Sequence, residues 1–194
     1  MKLSILIPTV VGREKQFESL KKYLQFLCNP YPEEIEISWM CDNKELTIGE
    51  KREILYNHAS GDYSLQVDDD DMLSLSSIDQ IMQAINSGLP DCITYKERCI
   101  MNGTLYKCDH SIKYAAWADN SHGFDYVRTP FMKDVIRTDI AQRVPIPHIR
   151  YGEDHQWSVD LLPHLKTEHH IDDFIYYYEH ESSDFKTRYG FDKD

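Results

Sequence analysis

Paired cysteines are missing from this 194-residue chain: its five cysteines, at 28, 41, 92, 99 and 108, form an odd set with no C-x-x-C spacing. That argues against a disulfide framework and a Cys-based zinc site, and it makes a reducing, cytoplasmic setting the expectation. Glycine and proline are scarce too, at 8 each, which sets aside collagen-like and low-complexity chains. Basic residues number 21 against 33 acidic ones, a net charge of −12 with His neutral. A protein whose whole surface grips nucleic acid or an anionic membrane carries the opposite excess, although a local basic patch stays open. No apolar run approaches the roughly 20 residues that span a bilayer. The apolar start, Leu3 to Val11, is interrupted by Pro8 and followed by Arg13 and Glu14 with no small-residue cleavage site, so it reads as a buried strand with no membrane role.

What is present is an alternation of strand and helix patterns. Leu3 to Ile7 is a short apolar run closed by Pro8, and Phe17, Leu20, Leu24 and Leu27 then recur at helical spacing. Ile35, Ile37, Trp39 and Cys41 alternate with more polar neighbours as a second strand ending at Asp42. Thr47-Ile-Gly-Glu50 is a capping box for a helix toward His58, and Tyr63 to Val67 is a third strand. Ser76-x-x-Asp79 predicts a further capped helix, which Gly88 and Pro90 end. Parallel strands joined by helical crossovers follow, so the fold class is α/β, with ligands expected beyond the carboxyl ends of the strands.

The remainder is less regular. Asn102-Gly103 signals a tight hairpin, 106–132 is aromatic and unassigned, and the spacing over Lys133 to Val144 predicts a helix. Asp154, Trp157 and Leu161 share a helical face ending at Pro163, Ile171 to Glu179 reads as a strand, and the last fifteen residues as a polar tail or lid. No linker or internal repeat divides the chain.

The third strand runs directly into Asp68-Asp69-Asp70-Asp71. An acidic run of this kind is either a solvated loop or a site whose mutual repulsion is met by a counter-charge. At the ligand edge of such a sheet, a divalent cation bridging a diphosphate supplies that charge. Asp68 and Asp70, as alternate residues leaving a strand, point to one side and suit Mg²⁺ or Mn²⁺.

Several motifs occur in order: Ser4-Ile-Leu-Ile-Pro-Thr9 with Arg13, Asp42 after the second strand, Gly49-Glu-Lys-Arg52, Gly61-Asp-Tyr63, the Asp68-x-Asp70-Asp71 run, and Gly152-Glu-Asp154. Together, over about residues 3 to 180, they resemble the family 2 glycosyltransferases of the GT-A fold. The resemblance implies a Rossmann-like doubly wound mixed sheet in a single domain over 1–194. Residues 1–90 would bind a nucleotide sugar, and 91–194 would form a smaller half carrying the acceptor site and the catalytic base. It implies a metal-dependent inverting transfer, with Mn²⁺ or Mg²⁺ as cofactor, from a nucleotide sugar such as a UDP-sugar to a hydroxyl acceptor. Thr9, Arg13, Asp42, Arg52, Asp68 and Asp69 would contact the donor, Asp68 and Asp70 the metal, and Asp154 would be the base with Glu153 orienting it. His180 would be a further metal ligand, or else a structural His. Arg188 would close over the diphosphate, or else be a solvated charge. Asp154 has a plainer reading as a helix-capping carboxylate.

Two departures from the pattern stand out: the turn Thr9-Val-Val-Gly-Arg13 lacks the family's usual Asn, and Cys41-Asp42-Asn43-Lys44 lacks a second acidic residue. Six of the nine His lie between 148 and 180 without zinc-ligand spacing. Acceptor choice belongs to 92–150, where Tyr95, Tyr106, Tyr114 and Trp117 either stack on sugars or bases or form an aromatic core with solvated charges around it. Cations Lys96, Arg98, Lys107, Lys113, Arg143 and Arg150 are interleaved with them. A saccharide acceptor fits, as does a hydroxymethylated base in viral DNA, the acceptor of small phage-encoded glycosyltransferases. Two other classes stay open: a nucleotidyltransferase, although no Gly-rich basic loop follows the first strand, and a non-catalytic nucleotide-sugar-binding module.

Overall fold

The computed structural model describes residues 2–180. Its first half alternates as the sequence predicts: β1 Leu3–Val10, α1 Glu14–Cys28, β2 Ile35–Asp42, α2 Ile48–His58, β3 Tyr63–Gln66, the short β4 Met72–Leu73, and α3 Ser77–Gly88. Strands β2, β1 and β3 are parallel, with Leu3 opposite both Ile35 and Tyr63. Strand β1 is apolar on both faces because it is covered on both. Leu3, Ile5 and Ile7 pack with Phe17, Leu20 and Leu24 of α1 and Ile81 and Ile85 of α3. Leu6 faces the other layer, with Leu55 and Tyr56 of α2 and Trp157.

Pro8 does not close β1, which runs on to Val10. The ladder to β3 ends where Leu6 meets Gln66, so Pro8, which faces the same way as Leu6, has no partner there that needs an N–H. Thr47 caps α2 through the reciprocal bonds expected of its capping box. Ser76, by contrast, makes no capping bond to α3: its hydroxyl accepts from Gln80 Nε2 at 3.0 Å, and Asp79 accepts from the Tyr31 hydroxyl at 2.9 Å.

The second half adds β5 Cys92–Met101, β6 Thr104–His110, β7 Ala118–Ser121, β8 Phe124–Arg128, β9 Val135–Arg137, α4 Thr138–Ala141, α5 Glu153–Leu161 and β10 Glu168–His180. The strands form one sheet in the order β2-β1-β3-β9-β5-β6-β8-β7, with β10 beside β5 and β4. The α/β class and mixed sheet expected from the sequence are therefore present. Asn102 and Gly103 take φ of 51° and 78° at the β5–β6 hairpin, and His122 and Gly123 repeat that turn at 54° and 82° within the stretch left unassigned. The helix expected over Lys133 to Val144 is instead β9 followed by the single turn α4. Val135 and Ile136 are fully buried because β9 is wedged between β3 and β5, and that pairing overrides the local helical spacing.

Candidate active site

The acidic run leaves the carboxyl end of β3 and turns at once, with the Asp71 amide donating to the Asp68 carbonyl at 3.0 Å. Each carboxylate meets a cation of the chain itself. Arg13 pairs with Asp69 at 2.6 Å and also with Asp70. Arg52, on α2, reaches Asp68 at 2.9 Å, and Lys133, just before β9, reaches Asp71 at 3.0 Å. Thr9 Oγ1 donates to Asp69 at 2.6 Å, and the Tyr176 hydroxyl donates to Asp71 at 2.7 Å. The expectation that the repulsion among these carboxylates awaits an external counter-charge is thus corrected: much of it is offset internally.

These partners divide the run electrostatically. Burial alone would raise Asp68, but Arg52 and Lys133 hold it below the ordinary carboxylate range. Burial lifts Asp69 despite Thr9 and Arg13, and it lifts Asp71 to about 7 in spite of Lys133. Burial would depress the Arg52 guanidinium, yet Asp68 and Glu153 raise it, so it stays charged. Glu153, at the start of α5, accepts from Arg52 Nε at 3.1 Å, and its own burial raises its pKa.

Two cavities meet over this floor. One, of about 280 Å³, is lined by Thr9, Arg13, Lys51, Arg52, Asp68, Asp69, Asp70, Tyr178 and His180. The other, of about 390 Å³, is lined by Arg52, Asp68, Glu97, Lys133 and Asp154 together with Trp117, Tyr126, Arg128 and Tyr151. Arg52, Asp68 and Tyr178 line both and form the wall between them. Asp154 is half-buried; its Oδ1 accepts from the His155 amide at 2.7 Å, and its Oδ2 makes no hydrogen bond among the described residues. Asp42 lines neither cavity. It is tied behind the smaller one by Lys51, at 2.8 Å, and by the Leu46 amide, also at 2.8 Å. Lys51 in turn donates to the Thr9 carbonyl at 2.9 Å. Glu153 also lies outside both walls, and Arg188 lies outside the described residues.

The position of α5 follows from packing. Trp157 is fully buried, stacks on Tyr56 of α2 at 5.4 Å and donates its indole N–H to the Val144 carbonyl at 2.9 Å. Gly49 lets α2 approach the loop before α5, since a Cβ there would lie 1.9 Å from the Pro147 carbonyl oxygen.

Sequence reasoning missed Lys133 and Arg128, because cations far along the chain carry no local sign of the acidic or aromatic groups they meet. Tyr95 and Tyr114, candidates for stacking, are buried in the interior: the Tyr95 hydroxyl donates to the Lys133 carbonyl, and the Tyr114 hydroxyl donates to Asp109 at 2.5 Å. Behind Lys133 runs a buried relay. Glu97 accepts from Lys133 at 3.3 Å and from His110 Nε2 at 3.3 Å, while His110 Nδ1 meets Asp134 at 3.0 Å. Lys133 and His110 hold Glu97 down to about 2 against its burial, and the two carboxylates raise His110 to about 10 against its own.

The ligand atoms of Glu97, Cys108 and His110 lie within 4.8 Å of one another, a possible metal triad. An imidazole that keeps both protons and a thiol driven upward by Cys99 and burial are poor ligands, so these groups fit the relay better than an ion. The acidic run is the better match for a hard cation. Asp68 Oδ1, Asp69 Oδ1 and Asp71 Oδ1 are buried without hydrogen bonds among the described residues, the first two despite an Arg nitrogen at ion-pair distance. Asp70 stands half-exposed on the rim of the cavity that His180 also lines.

No protein-family model matches the chain, and no curated protein matches it. Solved structures do. S. aureus TarS residues 1–349 in complex with UDP is similar at 18% identity and a TM-score of 0.70, covering 96% of this chain and 63% of that one. The same protein in complex with UDP-GlcNAc is similar at 16% identity and a TM-score of 0.64, covering 96% of this chain and 61% of that one. The bifunctional IspDF from Campylobacter jejuni is more distant, at 9% identity and a TM-score of 0.52, covering 89% and 50%. This chain spans between 38% and 63% of the TarS chains it matches. At these identities the likeness is one of fold, and that fold is the GT-A type arrangement expected from the sequence. No helix among the described residues is long and apolar enough to cross a membrane.

Proposed function

We propose that this chain is an inverting glycosyltransferase of the family 2 kind, moving a sugar from a UDP-sugar to a hydroxyl acceptor with Mn²⁺ or Mg²⁺ bound at Asp68 and Asp70. The observation that carries this reading is the shared wall: Asp68 and Arg52 line both cavities, and Asp154 lines the larger. A donor whose diphosphate lies in the smaller cavity sets its sugar toward the larger one, opposite Asp154. The fold likeness to TarS, solved with UDP and with UDP-GlcNAc, supports that donor class.

In this reading residues 1–90 form the donor half and 91–194 the acceptor half of one domain. Thr9 and Asp69 shape the nucleotide end of the donor cavity, with Asp42 acting through Lys51. Arg13 and Arg52 face the diphosphate, and Asp68, Asp70 and His180 would hold the metal. The bound cation would offset the charge that develops on the leaving diphosphate. The Asp154 carboxylate takes the acceptor hydroxyl proton as the acceptor oxygen bonds to the anomeric carbon. The bond from that carbon to the diphosphate oxygen breaks, and its electron pair leaves with UDP. Attack opposite to departure inverts the anomeric centre. Glu153, held by Arg52, fixes the first turn of α5 and with it the aim of Asp154.

The test is incubation with a panel of nucleotide sugars and Mn²⁺. Release of UDP from a UDP-sugar, faster with acceptor present, is the expected result. Pyrophosphate release from a nucleoside triphosphate would replace this reading with nucleotidyl transfer, and UDP-sugar binding without turnover would replace it with a binding module.

A further inference from the structure

The lining of the larger cavity has an uneven polarity. Arg128, the last residue of β8, lies between two aromatic rings, with Cζ 4.9 Å from the centroids of both Trp117 and Tyr126. Its NH1 donates to the carbonyls of Ala118 and Val127 at 3.1 and 2.9 Å. The nearest carboxylate, on the exposed Asp119, is 3.4 Å from NH1 and 3.5 Å from NH2. Nε, and the rest of NH2, have no partner among the described residues. Beside it, Trp117 Nε1 is buried and makes no hydrogen bond among the described residues. The Trp117 ring meets Phe131 at 5.2 Å and His155 at 4.9 Å, both in edge-on contacts.

A buried indole N–H without an acceptor leaves a desolvation cost standing, and a guanidinium clamped between rings presents a fixed edge of donors. Both groups only donate. The same cavity carries Asp68, Glu97 and Asp154, but Asp68 is paired with Arg52 and Glu97 with Lys133, so the part of the lining formed by Arg128 and the aromatic faces beside it is matched by a ligand that brings oxygen acceptors and negative charge.

We propose that the acceptor recognised by this wall is an anionic saccharide: a sugar ring stacked on Tyr126 or Trp117, with a phosphate or carboxylate oxygen taking hydrogen bonds from Arg128 and Trp117 Nε1. This rests on the transferase reading above and names the acceptor class for that same site. Phosphate and carboxylate share the chemistry, and separate probes distinguish them.

Calorimetry on the full chain saturated with UDP and Mn²⁺, titrated in turn with glucose 6-phosphate, glucuronate and methyl α-glucoside, tests it. At least one anionic probe is expected to bind about tenfold more tightly than the neutral one, the scale of one hydrogen bond to a charged group. Whichever binds better names the oxyanion. R128Q is expected to erase that preference, and W117F, which keeps a ring but removes the N–H, to weaken the preferred anionic probe. UDP affinity, read separately in each variant, reports that the fold and the donor cavity persist. Equal affinity for all three probes in the parent, or a preference that survives R128Q in a variant that still binds UDP, overturns the proposal. A parent that fails to bind UDP at all counts against the transferase reading instead.

Discussion

Arg52 and Glu153 are separated by 101 positions in the chain, and their side chains meet at 3.1 Å, Nε to Oε1. The same guanidinium donates through NH1 to Gln66 at 2.8 Å and pairs with Asp68 at 2.9 Å, so one buried side chain ties α2, the end of β3 and the first turn of α5. Asp154 follows Glu153 directly, and its place in the cavity wall depends on that tie.

Replacing Arg52 by Ala therefore leaves the buried Glu153 and the half-buried Asp68 without this cation. A loss of about 3–5 kcal/mol is expected, because removing one member of a buried pair exposes the full cost of the other. Arg52→Lys keeps the charge but not the fork, and it should fall between parent and Ala. Urea denaturation at neutral pH measures both; an Ala variant as stable as the parent would mean that the tie does not hold the site.

A second stability prediction concerns His110, buried between Glu97 and Asp134. Its pKa is raised to about 10 in the fold, from an ordinary value near 6.5. The stabilisation it contributes is then complete below about pH 6.5 and is lost as pH rises through 10. Unfolding free energy measured at pH 6, 8 and 10 should fall by several kcal/mol in the parent. In His110→Gln that slope should flatten, with the variant less stable at pH 6. Equal slopes in parent and variant would show that His110 is neutral in the fold.

Much of the first ninety residues was legible in the sequence, since apolar runs and capping signals there are local. The two-sided burial of β1 reads directly from Leu3 to Ile7, and the Thr47–Glu50 box sets the start of α2. The edge carrying Asp68–Asp71 followed from topology. What escaped was set by tertiary partners. Val135, Ile136, Ile140 and Val144 satisfy a helical period, yet neighbours β3 and β5 claim the first two as a strand. In sequence Lys133 only opens the expected helix, and the fold alone places it against Asp71 and Glu97, with its Nζ 3.9 Å from the Tyr178 ring centroid. For Tyr95 the sequence leaves stacking and core packing open, because nothing local marks it as the buried anchor of the Lys133 carbonyl.

Gly49 offers a test of the packing that aims Arg52. A methyl group at this position would sit 1.9 Å from the Pro147 carbonyl oxygen, a backbone atom that cannot move aside alone. Gly49→Ala is expected to cost about 1–3 kcal/mol, the usual range for overpacking, although Ala is the better helix former. Thermal melts check it, and a stabilised variant would show that the loop from 145 to 150 yields freely.

The metal assignment predicts that UDP binds more tightly with Mn²⁺ than without it. Asp70 stands on the rim, paired with Arg13, and it can turn to an ion at little cost because it is half-exposed. Asp70→Ala should remove the gain that Mn²⁺ provides while leaving the metal-free affinity near the parent value. Calorimetry in both conditions decides it; equal affinity with and without Mn²⁺ in the parent would mean that the chain's own cations, Arg13 and Arg52 among them, meet the diphosphate without an ion.

The sharpest prediction is for Asp154. If its carboxylate takes the acceptor proton, Asp154→Asn keeps the shape and the hydrogen bond from the His155 amide but loses the basicity. Turnover should fall roughly 100-fold or more, the scale of a lost general base, with UDP affinity nearly unchanged. Glu153→Gln should behave differently, weakening the tie to Arg52 and lowering stability together with turnover. A fall in turnover for Asp154→Asn matched by an equal loss of UDP affinity would mark Asp154 as a donor contact. Unchanged turnover would return it to the plainer part of a carboxylate in the first turn of a helix.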